Sequence, residues 1–210
     1  KMKDQDKRKE QLVNELAEMR QKVAELEALA EHARQLEAEV AQRKRAEEKI
    51  ERNYEMETAM NVLLSLSMED TTVAEFLEQA LNLLISIQWL TVRDAKGAIF
   101  LADDKGKELL MQTAHGFTED QKINCARIPF GYCICGRAAA AREVEFADGV
   151  DARHEVRYDG MAPHGHYCVP ILAGDRMLGV INLYVEGGHA RNLQEEEFLK
   201  AVANALGGAI

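Results

Sequence analysis

The sequence predicts an α+β protein: an antiparallel sheet flanked by helices, preceded by a long helix suited to a parallel coiled coil. Three observations predict it. The first 57 residues hold no Gly and no Pro and are dominated by Glu, Ala, Lys, Arg, Gln and Leu, the composition of a long solvated helix, whereas all 14 Gly, all 3 Pro and all 4 Cys fall later. Apolar residues within that first part recur in 4-3-4-3 spacing. Beyond it, helix-period and strand-period stretches alternate between turn signals. The expected division is a coiled-coil helix over 1–57 and a globular domain over 58–210.

The seam of the leading helix can be read residue by residue. Leu12, Leu16, Met19, Val23 and Leu26 form one stripe, and Leu29, Ala33, Leu36 and Val40 form a second. The step from Leu26 to Leu29 is a second consecutive three, a stammer-like join that overwinds a coiled coil locally. Arg43 and Glu47 then occupy seam positions before Ile50 and Tyr54 restore the apolar pattern. So narrow a stripe is marginal on one helix, and its simplest partner is its own copy in a parallel homodimer. A single uncoiled helix held by its own charges is the alternative. The first 57 residues carry 13 basic and 15 acidic side chains, so the two signs nearly cancel.

In the second part, Met56, Met60, Leu63 and Leu64 continue the helix to about Ser67. Asp70 or Thr71 is expected to cap a helix from Thr72 to about Ser86, with Val73, Phe76, Leu77, Ala80, Leu81 and Leu84 on one face. Ala98–Asp103 and Glu108–Ala114 read as a hairpin about a DDKG turn, Gly136–Arg142 as a short helix, and Val144–Ala147 as a short strand. His166–Leu172 and Met177–Val185 read as strands joined through AGDR. The latter is apolar on both faces and so central, while Pro170 implies an edge position or a bulge in the former. Gln194–Ile210 is an amphipathic helix with Phe198, Leu199, Val202 and Leu206 inward.

Composition excludes several function classes. A formal net charge of −10 argues against a nucleic-acid surface, which needs a basic patch. No apolar run reaches the roughly 18–20 residues that span a bilayer, so no membrane segment is expected. The opening KMKDQDKRKE lacks the apolar core of a signal peptide, and 4 cysteines are too few for a disulfide scaffold. The expected setting is cytoplasmic and reducing.

The densest reactive set lies between Cys125 and Cys168: Cys125, Cys133, Cys135 and Cys168 with His154, His164 and His166. Cys133 and Cys135 precede the expected short helix, where the helix dipole favours thiolate. His164, His166 and Cys168 are spaced two apart, so they share one face if the strand reaches back that far. Thiolate and imidazole together suit zinc or iron, and the first candidate ligand set is Cys133, Cys135, His154 and His166. The alternative is that Cys133 and Cys135 are small core residues and that His164 and His166 cap a loop. Asp148, Asp151, Glu155 and Asp159 form an acidic loop around His154 and read as solvated surface. His115, His189 and His32 read as turn, loop and coiled-coil residues, and Trp89 as core.

Three segments resemble a GAF domain over about Met60 to Ile210: GAIFLADD, IPFGYCICGRAAA and YCVPILAGDRMLGVINLYV. The resemblance implies a sheet with the first and last helices on one face and a ligand-sized cavity beneath loops on the other, with CICG and the loop Ala147–Pro163 over that cavity. QRKRAEEKI resembles the linkers before sensor domains of bacterial signalling proteins. Family members of that kind dimerise through such helices upstream of histidine kinases or cyclic-dinucleotide enzymes. The implied function is a non-catalytic sensory module of a two-component-like system, signalling to an output domain outside this chain, with Arg43 and Glu47 as a switch point in the seam.

A second resemblance is to the free methionine-(R)-sulfoxide reductases, whose C-x-x-I-x-F-G-x-x-x-C-G motif is matched by Cys125 through Gly136. Those enzymes place an attacking cysteine in the loop before the last hairpin. Here that loop reads VRYDGMAPHGHYC, with no Cys between Cys135 and Cys168. A purely structural dimerisation module is the remaining alternative.

Overall fold

A computed structural model describes the backbone of residues 2–90, 92–157 and 161–210, and their side chains apart from 2–7, 10, 92 and 93. By compactness the chain divides into a unit ending at Asn53 and a unit Tyr54–Ile210.

The described residues of the first unit are helical, part of α1 (Met2–Ser67). The two apolar stripes expected from the sequence are solvent-exposed on the single chain, Leu12 at 61% and Leu26 at 66% among them. Arg43 donates through Nε to Glu47 Oε1 at 2.9 Å, an exposed pair one turn apart.

In the second unit, α1 ends at Ser67 and is followed by α2 (Val73–Ser86), β1 (Val92–Ala102), β2 (Glu108–His115), α3 (Glu119–Asn124), β3 (Arg127–Pro129), α4 (Cys133–Ala141), β4 (Glu145–Ala147), β5 (His164–Ala173), β6 (Arg176–Glu186) and α5 (Leu193–Ala209). The described strands form one antiparallel sheet in the order β3-β2-β1-β6-β5-β4. β6 lies between β1 and β5, the central place its two apolar faces require. Pro170 pairs with Val180 of β6, while β4 reaches only Cys168, so the missing amide falls where β5 has become an edge.

The sheet separates two cores. On one face, Ala59 and Leu63 of α1, Leu77, Leu81 and Leu84 of α2, and Phe198, Leu199 and Val202 of α5 pack over Ile99, Ile181 and Leu183. Trp89 meets Phe198 edge-on at 5.1 Å in the same layer. On the other face, Ile134, Cys135, Ala138 and Ala139 of α4 pack over Phe100, Leu109, Cys168 and Val180. Strand alternation makes β5 common to both: Tyr167 and Val169 face the first core, and His166 and Cys168 face the second.

Several boundaries differ from expectation for local reasons. Thr72, not Asp70 or Thr71, caps α2, in a reciprocal box with Glu75. α4 starts three residues before Gly136, at Cys133, whose φ of 55° is left-handed. Its first turn is closed by backbone bonds, Gly136 N–H to Tyr132 O at 3.1 Å among them, so no capping side chain marks it. α3 and β3 have no counterpart in the sequence periodicity.

Candidate functional site

β5 begins at His164, so His164, His166 and Cys168 do share one face, and all are buried. Gly165 between the histidines sits so close to β4 that a Cβ there would collide with the Ala147 carbonyl oxygen and crowd Val185. That approach places the histidine face beneath the loop following β4. The loop is held by its own charges. Asp151 accepts from the Arg153 amide at 2.7 Å and from its guanidinium at 2.9 Å, and Arg157 donates to the carbonyls of Asp151 and His154. Arg137 of α4 reaches across to Glu155 at 2.7 Å. These contacts lower His154 onto β5. Asp159 lies outside the described residues.

The three histidines meet nitrogen to nitrogen. His154 Nε2 is 3.0 Å from His166 Nε2 and 3.3 Å from His164 Nε2. Among the described residues they form the one group of His, Cys, Asp or Glu ligand atoms close enough together to hold an ion, within 4.8 Å of one another. His164 Nδ1 donates to Ala162 O at 2.7 Å, and His166 Nδ1 is 2.9 Å from Asn182 Oδ1. His154 Nδ1 is buried without a hydrogen-bond partner. Tyr184 stacks on His164 at 4.8 Å and meets His166 edge-on at 4.3 Å. Burial, the largest influence, holds the pKa of His154 below the imidazole value and that of His166 well below it, favouring the neutral form of both rings.

The cysteines gather beside this group without joining it. Cys135 Sγ is 3.5 Å from Cys168 Sγ, and Cys168 lies 3.6 Å from Asn182 Oδ1. Cys125, Cys133 and Cys135 line a cavity of about 20 Å³ together with His154, His166, Asn182 and Tyr184. That volume suits about one water-sized group, far less than a ligand-sized cavity. Two larger clefts, about 450 and 510 Å³, lie elsewhere and contain neither histidine nor cysteine.

The helix dipole does not make thiolates here. Burial pushes Cys133 up, and at Cys135 the contact with Cys168 and burial push the thiol well above its ordinary value. Burial, helped by Cys135 and Cys133, raises Cys125 to about 12. All four are free thiols, and the raised groups are protonated at neutral pH.

Among the remaining histidines, His189 pairs with Glu195 at 2.8 Å and His115 is exposed, away from this group. The first candidate set from the sequence, Cys133, Cys135, His154 and His166, leaves out His164, which stands beside His154 and His166 here. The signal that promotes His164 to equal rank is the unbroken H-x-H-x-C alternation leading into the strand.

With the fold and this site in view, the sequence model of the GAF domain matches residues 70–210. The chain belongs to the GAF domain family. Solved structures agree on the fold. A free methionine-R-sulfoxide reductase from Neisseria meningitidis in complex with its substrate is 20% identical, with a TM-score of 0.61 over 73% of this chain and 87% of that one. The A. aeolicus nlh2 GAF domain in an inactive state is 18% identical, with a TM-score of 0.60 over 75% and 96%. The GAF domain of a phosphoenolpyruvate-protein phosphotransferase from Coxiella burnetii is 20% identical, with a TM-score of 0.59 over 74% and 92%. No curated protein matches this GAF domain chain. No described helix is long and apolar enough to cross a membrane.

Proposed function

We propose that this GAF domain is a non-catalytic sensory module that responds to a small ligand, metal ion or redox change and passes the response through a dimeric coiled coil to an output domain, such as a histidine kinase, outside this chain. The observation that carries the reading is the cluster of three buried histidines set between the sheet and the loop after β4. Three imidazoles meeting nitrogen to nitrogen offer a set of donor atoms that a small ligand or ion can use. The exposed seam of α1 supports a homodimer, because each seam would cover the other. The test is the output of the full-length protein. His154→Ala should change its response to stimulus, and an unaltered response would refute the sensory role.

A second reading is favoured by the cysteine spacing from Cys125 to Cys135 and by similarity to the Neisseria reductase. Sulfoxide attack needs a thiolate. Cys125, Cys133 and Cys135 are held as thiols, and Cys168 is fully buried. We therefore place catalysis second. Incubation with free methionine sulfoxide and a thiol reductant should yield no methionine above the rate of a Cys135→Ser variant.

A further inference from the structure

We propose that His154, His164 and His166 together bind one divalent first-row transition-metal ion through their Nε2 atoms. The proposal deepens the sensory reading and relies on it only for the ion's purpose, since binding itself is measured separately.

Hydrogen bonding fixes two of the three tautomers. The carbonyl of Ala162 can only accept, so His164 carries its proton on Nδ1 and presents an Nε2 lone pair. Asn182 Oδ1 faces both His166 Nδ1 and the Cys168 thiol, an acceptor between two donors, so His166 likewise presents an Nε2 lone pair. Both lone pairs point at the same atom, His154 Nε2, at 3.3 and 3.0 Å. A cation answers all three nitrogens at once.

Two of the three edges of the triangle have the right length, and the third, between His164 and His166, is bounded at 4.8 Å, so binding draws these two rings together. Two imidazole nitrogens at 2.0–2.1 Å from a tetrahedral zinc are separated by about 3.3 Å. The two nitrogen separations at His154, 3.0 and 3.3 Å, lie within a few tenths of that edge. The supporting contacts are those of a metal site as well. Ligating histidines characteristically donate the other ring N–H to a carbonyl or amide oxygen, as His164 and His166 do here. Tyr184 packs against both rings and holds their planes.

An all-imidazole set suits zinc, ferrous iron, nickel or copper and not calcium or magnesium. It also contributes no negative charge, and no described carboxylate or sulfur joins it. The ion therefore keeps its full double charge. His154 and His166 also line a cavity of about 20 Å³, room for about one water-sized group, so an exogenous ligand entering from that side would be a small anion of about that size.

The test uses the whole 210-residue chain, stripped of metal with chelator and titrated with Co²⁺ and Zn²⁺ by calorimetry and visible absorption. The expected result is about one ion per chain, with tetrahedral ligand-field bands and no thiolate-to-cobalt charge-transfer band. His154→Ala, on the loop, and His166→Ala, on the strand, should each weaken Co²⁺ binding by about a hundredfold or more, with circular dichroism confirming that they fold. A Cys133→Ser, Cys135→Ser double variant should stay within about threefold of the parent. No uptake by the folded chain, uptake undiminished in the histidine variants, or a thiolate band lost in the cysteine variant would each overturn the assignment. None of those outcomes touches the sensory reading, which is judged by output.

Discussion

Arg137 of α4 donates to Glu155 at 2.7 Å, and this one ion pair ties the helix bearing Cys133 and Cys135 to the loop bearing His154. Both side chains are partly exposed, at 39% and 26%. Burial works against the Glu155 charge, and the Arg137 hydrogen bond with neighbouring backbone more than offsets it, holding the carboxyl below its ordinary value. Such a pair contributes little to stability, about 1 kcal/mol at most, but it anchors the residue next to His154.

Arg137→Gln should therefore separate positioning from folding. The expected loss in Co²⁺ affinity is roughly tenfold, while the thermal midpoint of the metal-free protein moves by about 2–4 °C or less. Calorimetry and a melting curve on one preparation check both. Unchanged affinity would mean that the loop holds His154 without this pair.

Gly165→Ala should disturb the domain more than its size suggests. The added Cβ meets the Ala147 carbonyl and a methyl of Val185, and strand pairing leaves neither free to retreat. A loss of about 1–3 kcal/mol in denaturant unfolding is expected. A change below a few tenths would show that β4 can withdraw.

Cys125 gives a pH dependence whose sign follows from its burial. Its thiol is raised to about 12 from an ordinary 9.0. The unfolded chain releases this proton first as pH rises, so the stability it contributes is complete below about pH 9 and is lost as pH climbs towards 12. Melting curves of the parent and of Cys125→Ser should therefore diverge at alkaline pH, with the variant falling less steeply. Parallel curves would refute the shift.

In the first unit, replacing Leu16 and Leu26 with Lys should convert the expected dimer into protomers in sedimentation at micromolar concentration. Replacing Arg43 and Glu47 with Leu should raise the melting temperature of the coiled coil and freeze the output of the full-length protein. A parent that sediments as a lone protomer would remove the basis for both.

The sheet and its flanking helices are legible in the sequence because their residues obey a period. Met177–Val185 is apolar on both faces and becomes the central β6, and Phe76, Leu77, Leu81 and Leu84 are spaced for one helical face and are buried together. Where a period needs more length than the element has, the reading fails. β3 is 3 residues long, and α3 is a polar 6-residue helix whose clue is the Thr118–Gln121 capping pair. The site is half legible for the same reason. Alternation along a strand is enough to relate His164, His166 and Cys168 to one another. Nothing local relates them to His154, which reaches them through a loop whose course is decided by Arg153, Arg157 and Arg137. The prominence of Cys-Ile-Cys-Gly draws attention to the sulfurs, although three-dimensional packing groups the imidazoles.

The alternation of β5 has one more consequence. Tyr167, adjacent to His166 and pointing the opposite way, accepts the Asn192 amide on its hydroxyl at 2.8 Å, and Asn192 is the residue that caps α5. One strand thus serves both faces of the sheet: the residue next to His166 holds, on the opposite side, the cap from which the last helix starts.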